Sequence, residues 1–351
     1  MNPRFDICIV GAGLAGCTLA SSLAARKLNV ALFDTSACAS RGASAYSGGI
    51  VRAFDEDPEQ CELATRGVLD WRETPFPIEL IRQCGVFNVM SESAAEFARG
   101  RIRDSSSKDY PVVLLSAREA RAKAPELNLG GAGTAVVFEP LGGTVDVKLA
   151  SRLMLRSARE NGATVLEHAP MKALAKTDRG IRLEGNGFDA ECRIAVIAAG
   201  PWSGRWLPDA NLKIRRIQLS LARVQGLDRC VIDQVRGGYC VPSPSCMVAI
   251  GSFAPPSVED PDAALPTCAA RHHLHMGLLE GLTGQQGEAL GDIVGLDAYT
   301  DDMLPRVGFE DLEHAIYAFT GFSGRGAKYL PYLAKQSANA LAEAIAWHAV
   351  H

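Results

Sequence analysis

Apolar residues at the start of the chain follow the pattern of a strand, a helix and a second strand. Residues 5–10 form a short apolar run, apolar side chains then recur at helical spacing over 14–28, and a second run covers 30–33. A short apolar run beside turn residues is typical of a buried strand, whereas a spacing of three and four residues is typical of a helix. The first 34 residues therefore predict one βαβ unit.

The rest of the chain continues to alternate predicted strands with predicted helices. Residues 35–57 are rich in Ser, Gly and Ala, which predicts a loop that can lie close to a ligand. Residues 212–260 are predicted to be rich in β-structure. The other predicted elements are strands over 86–90, 163–166, 193–199 and 315–319, helices over 91–103, 117–122, 262–283 and 331–349, and a helix to 160 that opens at 142–146.

The composition is that of a globular protein. Of 351 residues, 47% are apolar, and 36 Lys and Arg stand against 40 Asp and Glu, so the formal net charge is −4. This length predicts two domains. The absence of a long basic run argues against a nucleic-acid partner. No apolar stretch reaches the length of a bilayer span and residue 5 already enters a strand, so we expect no membrane association and a cytoplasmic protein.

Ten cysteines are spread along the chain with no CxxC pair, which predicts small core residues rather than disulfides or a zinc site. Cys268, His272 and His275 share one face of the helix predicted over 262–283, so metal binding has to be considered. Three such side chains span about two helical turns, which is too long for one small ion. We therefore expect no metal site.

Residues 11–16 have the sequence GAGLAG, which fits the GxGxxG pattern between a predicted strand and a predicted helix. Gly11 permits the tight turn, Gly13 lets a pyrophosphate approach the backbone at the positive helix N-terminus, and Gly16 lets helix and strand pack closely. Asp34 ends the second predicted strand, where a carboxylate can accept hydrogen bonds from ribose hydroxyls. This unit predicts a dinucleotide site and leaves NAD(H) and FAD both open.

Five short segments occur in the order found in one known family. They are residues 11–16, the Ser- and Gly-rich stretch that reaches Arg52, and residues 142–146, 198–203 and 320–328. In this order the segments resemble the D-amino-acid oxidase superfamily of FAD-dependent oxidoreductases, and within it the sarcosine oxidase and glycine oxidase branch. The resemblance covers nearly the whole chain. It implies FAD as the cofactor and a small amine or amino acid as the substrate.

The resemblance also implies a fold. The expected class is α/β (α+β overall), with a Rossmann-type FAD-binding domain and a second, antiparallel-sheet substrate domain. The FAD-binding domain is expected to be discontinuous, over residues 1–75, 141–210 and 300–351, and the substrate-binding domain is expected over 76–140 and 211–299. FAD then lies extended, with its ADP half on the first βαβ unit and its isoalloxazine between the two domains.

Residues that bind FAD are expected in the same segments. Gly321, Gly324 and Gly326 clear side chains from a turn that leads towards a helix, so backbone N–H groups can face the electron-rich C2 carbonyl of a flavin. The turn is not a hydrolase GxSxG elbow, because Arg325 replaces the last glycine. The predicted cofactor-binding residues are Gly11, Gly13, Leu14, Ala15, Gly16, Asp34, Ser44, Gly48, Met171, Ala199, Gly200, Trp202, Gly321, Ser323, Gly324, Arg325, Gly326 and Lys328.

Four residues are the predicted catalytic and substrate-binding side chains. Lys328 and Arg52 match a carboxylate-binding lysine and arginine of the family, and a guanidinium with an ammonium makes a good carboxylate clamp. Tyr239 and Tyr299 resemble two active-site tyrosines of the same branch, whose hydroxyls close the clamp or orient the amine. For each tyrosine alone, a core position with a satisfied hydroxyl is an equally open interpretation.

Two positions depart from the sarcosine oxidases. Asp297 stands where those enzymes carry the cysteine that links to flavin, which implies non-covalent FAD. Ala249 stands closest to the position of the lysine that activates oxygen, so fast oxidase chemistry is not implied. A dehydrogenase, a slow oxidase and an altered reaction all stay open.

The resemblance implies oxidation of a C–N bond in an amino acid or related carboxylated amine, with hydride transfer from the carbon that bears nitrogen to flavin N5. A rival hypothesis is a flavin-dependent hydroxylase or oxidase that acts on a natural-product intermediate or a peptide side chain. Such hydroxylases usually carry a Gly-Asp motif before a late helix, whereas Gly291 and Asp292 here run into an apolar stretch. A third hypothesis is a dinucleotide-binding protein without turnover.

Overall fold

The computed structural model describes residues 3–74, 80–131, 133–310 and 315–350 of the chain. The α-helices in these ranges are α1 (Leu14–Ala25), α2 (Gly42–Tyr46), α3 (Pro58–Arg72), α4 (Glu92–Ser105), α5 (Ala117–Lys123), α6 (Val147–Glu160), α7 (Ala269–Thr283) and α8 (Gly326–Val350). Two 3-10 helices cover Gly200–Arg205 and Pro208–Ala210. None of the helices in the described ranges is long and apolar enough to cross a lipid bilayer.

The strands of the described residues form three sheets. They are β1 (Arg4–Val10), β2 (Val30–Phe33), β3 (Ile50–Val51), β4 (Ile81–Gln83), β5 (Val86–Ser91), β6 (Val113–Ser116), β7 (Thr134–Glu139), β8 (Gly143–Val145), β9 (Thr164–Leu166), β10 (Met171–Thr177), β11 (Gly180–Gly185), β12 (Phe188–Ile197), β13 (Lys213–Arg223), β14 (Cys230–Asp233), β15 (Gly238–Ser243), β16 (Met247–Ser252), β17 (Ser257–Val258), β18 (Glu288–Tyr299), β19 (Arg306–Phe309) and β20 (Ile316–Thr320).

The first sheet has eight strands and contains the predicted βαβ unit. β1 pairs in parallel with β2 and β12, β12 pairs in parallel with β20, and β2 pairs in parallel with β9. Parallel strands are covered on both faces, and Ile7, Cys8 and Ile9 of β1 are accordingly fully buried. α1 packs against α6 and α8. The expected α/β class and the Rossmann-type unit are confirmed.

The second sheet has nine strands in the order β17-β13-β16-β15-β14-β5-β7-β6, with β18 also paired to β13. Its neighbours are antiparallel except for β5 and β14. The expected β-rich character of residues 212–260 is therefore confirmed. A third, three-stranded sheet has the order β3-β8-β4.

Two predicted boundaries early in the chain are wrong. The loop predicted over 35–57 contains α2 and β3. Residues 142–146 do not open a helix directly, because β8 occupies most of this segment and pairs with β3 and β4. Asp146 then caps α6, and its side chain accepts a hydrogen bond from the backbone N–H of Leu149 at 2.9 Å.

The helix predicted over 262–283 begins only at Ala269. Pro261 and Pro266 lie in the residues before it, and a proline both lacks an N–H donor and disfavours the helical conformation of the preceding residue. The apolar and polar spacing of 262–268 therefore does not produce a helical turn.

The last helix begins at Gly326, before the predicted start at 331, and contains Pro331. Pro331 has no N–H for the carbonyl of Ala327, four residues earlier. The indole Nε1–H of Trp71 donates to that carbonyl at 2.6 Å. A side chain of α3 thus replaces the missing helical bond and lets α8 extend to the glycine-rich turn.

His272 and His275 of α7 belong to one hydrogen-bonded network with Ser220 and Asp292. His275 is buried, with Nδ1 2.9 Å from Ser220 Oγ and Nε2 3.1 Å from Ser252 Oγ. Burial, followed by the nearby Arg271, lowers the pKa of His275 to about 4. Both ring nitrogens are thus occupied, and no group of three His, Cys, Asp or Glu in the described part of the chain is placed to hold a metal ion. All ten cysteines are free.

The division into two domains stays a prediction. The boundary placed between residues 75 and 76 lies outside the described residues. β4, from the predicted substrate-binding part, pairs with β8 of the predicted FAD-binding part. The small third sheet therefore joins the two predicted parts close to the clamp residue Arg52, which directly follows β3.

Candidate active site

A cavity of about 680 Å³ lies between the eight-stranded and the nine-stranded sheets. Its wall includes the turn from β1 to α1 and the loop after β2. The opposite side includes residues of β13, β15 and β18, and the turn before α8 completes it. The cavity therefore begins at the carboxyl ends of parallel strands, which is the usual ligand site of such sheets.

The glycine-rich turn is packed too closely to accept side chains. Gly11 has φ +112°, and a Cβ there would lie 2.5 Å from the carbonyl oxygen of Ala198. A Cβ on Gly16 would lie 1.9 Å from the oxygen of Gly11, so this glycine serves helix–strand packing, and it lies outside the cavity wall. Gly13 does line the cavity, and a Cβ there would meet Ser44 Oγ at 3.0 Å.

Two predicted cofactor residues hold this turn in place. Ser44 Oγ accepts a hydrogen bond from the backbone N–H of Leu14 at 2.9 Å, at the start of α1. Asp34 accepts from Ala12 N–H at 2.6 Å and from Ser36 N–H at 2.7 Å, one bond for each oxygen. Burial raises the pKa of Asp34 against these bonds. Each oxygen keeps a lone pair for a ribose hydroxyl.

Most of the predicted cofactor residues lie in the cavity wall. Two of them, Gly16 and Gly321, do not line it. A Cβ on Gly321 would meet Leu212 and Thr300 in the protein interior at 3.0 Å. The residues found in the wall are Gly11, Gly13, Leu14, Ala15, Asp34, Ser44, Gly48, Met171, Ala199, Gly200, Trp202, Ser323, Gly324, Arg325, Gly326 and Lys328.

Trp202 belongs to a charged cluster that the sequence does not reveal. Its Nε1–H donates to Asp262 Oδ1 at 2.9 Å, and the Arg41 guanidinium lies 4.5 Å from its ring centroid. Asp262 also pairs with Arg41 at 3.2 Å and Arg205 at 2.5 Å. Hydrogen bonds from Arg205 and Trp202 lower the pKa of Asp262 to about 2. The cluster connects the long segment before α7 to the first 3-10 helix.

The expectation that backbone N–H groups of the turn before α8 face the flavin is wrong for residues 323–325, and the N–H of Arg325 donates to the carbonyl of Phe322 at 2.8 Å. The N–H of Gly324 donates to Asp297 Oδ2 at 2.8 Å, and the N–H of Ser323 donates to the carbonyl of Ala298 at 3.0 Å. These donors serve the fold because β18 lies directly against the turn. Gly326 and Ala327, which begin α8 in the cavity wall, provide the positive helix N-terminus instead.

The two predicted clamp cations meet at a carboxylate. Lys328 Nζ donates to Asp55 Oδ2 at 2.7 Å, and Arg52 and Arg325 lie 3.5 Å and 3.7 Å from the same oxygen. The three cations line the cavity, whereas Asp55 does not, so the carboxylate lies behind them. Sequence reasoning missed Asp55, and the only signal was an acidic residue three positions after Arg52.

The charges of this cluster shift one another. Burial, and next the charge of Arg52, lower the pKa of Lys328 to about 8, while Asp55 opposes the shift. Burial alone would raise the pKa of Asp55, but Lys328 and Arg52 outweigh it and hold that pKa below its ordinary value. Asp55 therefore opposes the loss of the Lys328 charge that burial and Arg52 promote.

A second buried acid fixes the loop that carries the clamp. Glu139 accepts hydrogen bonds from the backbone N–H groups of Ala53 and Phe54, at 2.6 Å and 3.2 Å, and from the hydroxyl of Tyr110 at 3.1 Å. Its side chain is fully buried and burial raises its pKa, against the nearby charge of Arg52. Sequence reasoning missed this residue, although a glutamate at the end of an apolar strand was a signal.

Tyr239, Tyr299 and Asp297 share the cavity face of the nine-stranded sheet. The Tyr239 ring lies across β16, where a Cβ on Gly251 would come within 2.3 Å of it. Burial and the nearby Asp297 raise the pKa of Tyr239 to about 12, and the same causes raise the pKa of Tyr299. Burial raises the pKa of Asp297 to about 6. Both tyrosines are thus neutral donors beside an acid.

A family model described as DAO, FAD dependent oxidoreductase, matches residues 6–340 of the chain. The protein belongs to this family. It is 23% identical over 354 residues to the glycine oxidase of Geobacillus kaustophilus (strain HTA426). This alignment covers 94% of this chain and 91% of that protein. The expected D-amino-acid oxidase superfamily and its glycine oxidase-like branch are therefore confirmed, and this DAO-family protein is an FAD-dependent oxidoreductase.

Solved structures show the same fold. The L-proline dehydrogenase of P. horikoshii matches the DAO-family protein with a TM-score of 0.87 at 19% identity, over 98% of this chain and 94% of that one. The glycine oxidase of Geobacillus kaustophilus matches with a TM-score of 0.81 at 21% identity, over 98% and 95%.

The cavity of the DAO-family protein fits FAD. Gly13 lines the cavity without a side chain beside the N-terminus of α1, whose positive end would attract a pyrophosphate. Asp34 can accept hydrogen bonds from ribose hydroxyls, and the N-terminus of α8 lies in the same cavity wall. These residues would hold FAD by its pyrophosphate, its ribose hydroxyls and its flavin end.

Proposed function

We propose that this FAD-dependent oxidoreductase oxidises the C–N bond of an amino acid or related carboxylated amine. One observation supports this most strongly. Arg52 Nη1 is buried in the cavity wall without a hydrogen-bond partner among the described residues. Arg325 and Lys328 add two further cations, and Asp55 is the carboxylate that they share. A carboxylate ligand would supply the missing acceptor and compensate the excess positive charge.

When bound, FAD would supply the acceptor for the two electrons of the C–H bond next to the substrate nitrogen, and the imine product would then hydrolyse in water. Arg52 and Lys328 bind the substrate carboxylate and so fix the position of the neighbouring carbon. Tyr239 and Tyr299 donate hydrogen bonds from neutral hydroxyls. Ile217 and Leu219 of β13 contribute apolar side chains to the cavity wall.

The proposed reaction is tested by reducing the flavin without oxygen. Glycine, sarcosine, L-proline and D-alanine are added in turn to the purified protein, and the loss of flavin absorbance is followed. Bleaching by at least one of these carboxylated amines supports the proposal. Methylamine, dimethylamine, pyrrolidine and ethylamine, which lack only the carboxylate, are added in the same way, and bleaching by these amines alone would contradict the proposal.

The hydroxylase alternative gains no support from the site. Asp292 of the Gly-Asp pair accepts hydrogen bonds from Ser220 Oγ at 2.6 Å and is 3.0 Å from His272 Nδ1, on the side of β18 that faces α7. It is absent from the cavity wall that the structure describes. This pair is therefore not placed to bind a ribityl chain.

The free cysteines suit a reducing compartment, which supports a cytoplasmic location.

We also propose that FAD is bound non-covalently. None of the ten cysteines is among the described residues of the cavity wall, and Asp297 stands where the family's linking cysteine would lie. Acid precipitation of the purified protein is expected to leave the yellow flavin in the supernatant. A yellow pellet that keeps its colour after washing would reveal a covalent bond.

Asp55→Asn is expected to lower the pH above which carboxylate binding is lost. In the native protein the affinity for benzoate should fall as the pH rises through about 8, where Lys328 loses its proton. Asparagine removes the charge that raises the pKa of Lys328, so the fall should begin at lower pH. Benzoate titrations monitored by flavin absorbance across this pH range measure the shift.

Asp70→Asn is the matched control for this experiment, because Asp70 pairs with Lys335, another lysine of α8, away from the cavity. Its benzoate affinity should follow the native pH curve. A native curve in Asp55→Asn as well would show that Asp55 does not control the charge of Lys328.

A further inference from the structure

Cys84 and Cys230 are a pair of thiols that the proposed reaction does not use. Their Sγ atoms lie 3.8 Å apart, so that one thiol donates a hydrogen bond to the other. Cys84 is partly exposed, whereas Cys230 is fully buried. A second close pair, Cys17 and Cys38 at 3.6 Å, has both members buried. In these two pairs, Cys84 is therefore the thiol that a small solute reaches most readily.

The surroundings of Cys84 favour its thiolate form. The hydrogen bond from the Cys230 thiol lowers the pKa of Cys84 to about 7 against the effect of partial burial. The backbone N–H of Cys230 and the charge of Arg82 add to this shift. Because the thiolate is the nucleophile in cysteine chemistry, a substantial fraction of Cys84 is reactive at neutral pH.

The main chain holds the two sulfurs near bonding distance. Cys84 and Gly85 form the two-residue connection between β4 and β5, and Cys230 begins β14. The backbone N–H of Cys230 donates to the carbonyl of Gly85 at 3.1 Å. A disulfide requires the two sulfurs to approach to about 2 Å. β14 is paired on both sides, with β5 and β15, so Cys84 in its short connection makes most of this movement.

A row of paired residues connects Cys84 with the carboxylate clamp. Gln83, which precedes Cys84, lies opposite Gly143 of β8, and Gly143 lies opposite Val51 of β3. Arg52 directly follows Val51. Gly143 packs against the backbone of β4 without room for a side chain. Such close packing transmits a displacement of Cys84 to the guanidinium of the clamp.

We propose that Cys84 is a peroxide-reactive thiol, that Cys230 converts its oxidised form into a disulfide, and that this disulfide weakens carboxylate binding at Arg52. The thiol chemistry is independent of the proposed function, whereas the effect on binding rests on it. A partly exposed thiolate next to a second thiol is typical of a redox-sensing cysteine. Disulfides that form in a reducing compartment are usually of this transient kind.

The oxidation takes place in two balanced steps. The Cys84 thiolate attacks one oxygen of hydrogen peroxide, the O–O bond breaks, and the leaving hydroxide takes up a proton to become water. The sulfur of Cys230 then attacks the sulfur of the new S–OH group. The S–O bond breaks, and the proton of Cys230 leaves with the oxygen as a second water. The two sulfurs together lose two electrons, which the peroxide gains.

The disulfide is expected to weaken the clamp because charge-assisted hydrogen bonds depend on geometry. Arg52 and Lys328 both lie close to Asp55, which places the two cations side by side. Movement of Cys84 towards Cys230 displaces Arg52 through the row of paired residues. Lys328 belongs to α8 and is not part of that row. A carboxylate then meets the two cations in a less favourable arrangement.

Peptide masses test the disulfide. Trypsin releases Cys84 and Cys230 in separate peptides, residues 83–99 and 230–236, each with a single cysteine. The purified FAD-loaded protein is treated with a small excess of hydrogen peroxide, and the remaining thiols are alkylated. The two peptides should then be linked, and dithiothreitol should separate them. Unlinked peptides, with Cys84 either alkylated or present as sulfinic acid, would overturn the proposal.

Two variants separate the roles of the thiols. In Cys230→Ser the oxidised Cys84 should take up further oxygen and become a sulfinic acid that dithiothreitol does not restore. In Cys84→Ser the buried Cys230 should remain alkylatable after peroxide treatment and unfolding. Oxidation of Cys230 in Cys84→Ser to the native extent would contradict the assigned order of attack.

Cys246→Ser is the matched control for these variants. Cys246 is exposed, and its sulfur contacts Gln225 rather than another thiol. The peptides of residues 83–99 and 230–236 should link in this variant as they do in the native protein. Loss of the link would show that Cys246, and not Cys84, reacts first with peroxide.

Benzoate titrations before and after peroxide treatment test the effect on the clamp. The Kd of benzoate, from flavin absorbance, should rise by about threefold or more in the disulfide form and return to its first value after dithiothreitol. Cys84→Ser treated in the same way should keep its Kd. An unchanged Kd in protein with linked peptides would refute the connection to Arg52. If the native protein bound no benzoate, the carboxylate clamp and the proposed function would fail, and the peptide masses would still decide the thiol chemistry.

Discussion

Lys328→Met is expected to weaken the binding of a carboxylated amine by about 2–5 kcal/mol while FAD stays bound. Lys328 is buried, so the substrate carboxylate would lose a charged partner in a site of low dielectric constant. Methionine keeps much of the length and apolar character of the lysine stem, which separates the lost charge from lost packing. The Kd of benzoate and the KM of the substrate that reduces the flavin measure the effect.

The structure adds a complication to this variant, because Lys328→Met leaves Asp55 with the longer contacts to Arg52 and Arg325 only. The double variant Lys328→Met, Asp55→Asn removes both members of the pair and avoids an uncompensated buried acid. Lys335→Met removes an exposed lysine of the same helix and should bind benzoate normally. Native saturation in both Lys328→Met and Arg52→Met would refute the carboxylate clamp.

The parts of this protein that could be predicted from its sequence are the local ones. The glycine-rich turn of residues 11–16 has one strand before it and one helix after it, and its tight packing follows from the small residues themselves. The same holds for Asp34, which directly follows β2 next to that turn. The neighbours that decide these features lie within one βαβ unit.

Asp55 could not be assigned in this way. Its partner Lys328 is 273 residues away in the sequence, and only the packing of α3 against α8 brings them together. Glu139 binds backbone groups of another segment for a similar reason. A single charged residue carries no periodicity, so its partner is invisible until the fold is known.

The turn before α8 was predicted only in part, again because a distant segment packs against it. Its glycines correctly indicated a close approach, but they did not indicate what approaches. Asp297 takes the N–H of Gly324, which the sequence assigned to the cofactor. The predicted start of α7 was wrong for a more local reason. Pro261 and Pro266 prevent a helical turn there, although the apolar residues around them have helical spacing.

Gly13→Val is expected to abolish FAD binding while the chain still folds. A Cβ at this position lies only 3.0 Å from Ser44 Oγ, so valine must displace the hydroxyl that accepts from Leu14 N–H. Its two methyl groups would also occupy the space at the N-terminus of α1 that a pyrophosphate needs. The flavin-to-protein absorbance ratio of the purified variant measures the loss, and circular dichroism shows whether the secondary structure is intact.

Gly100→Val is the control, because nothing lies within 4 Å of a Cβ on that glycine. Full flavin occupancy in folded Gly13→Val would show that this turn is not the cofactor site.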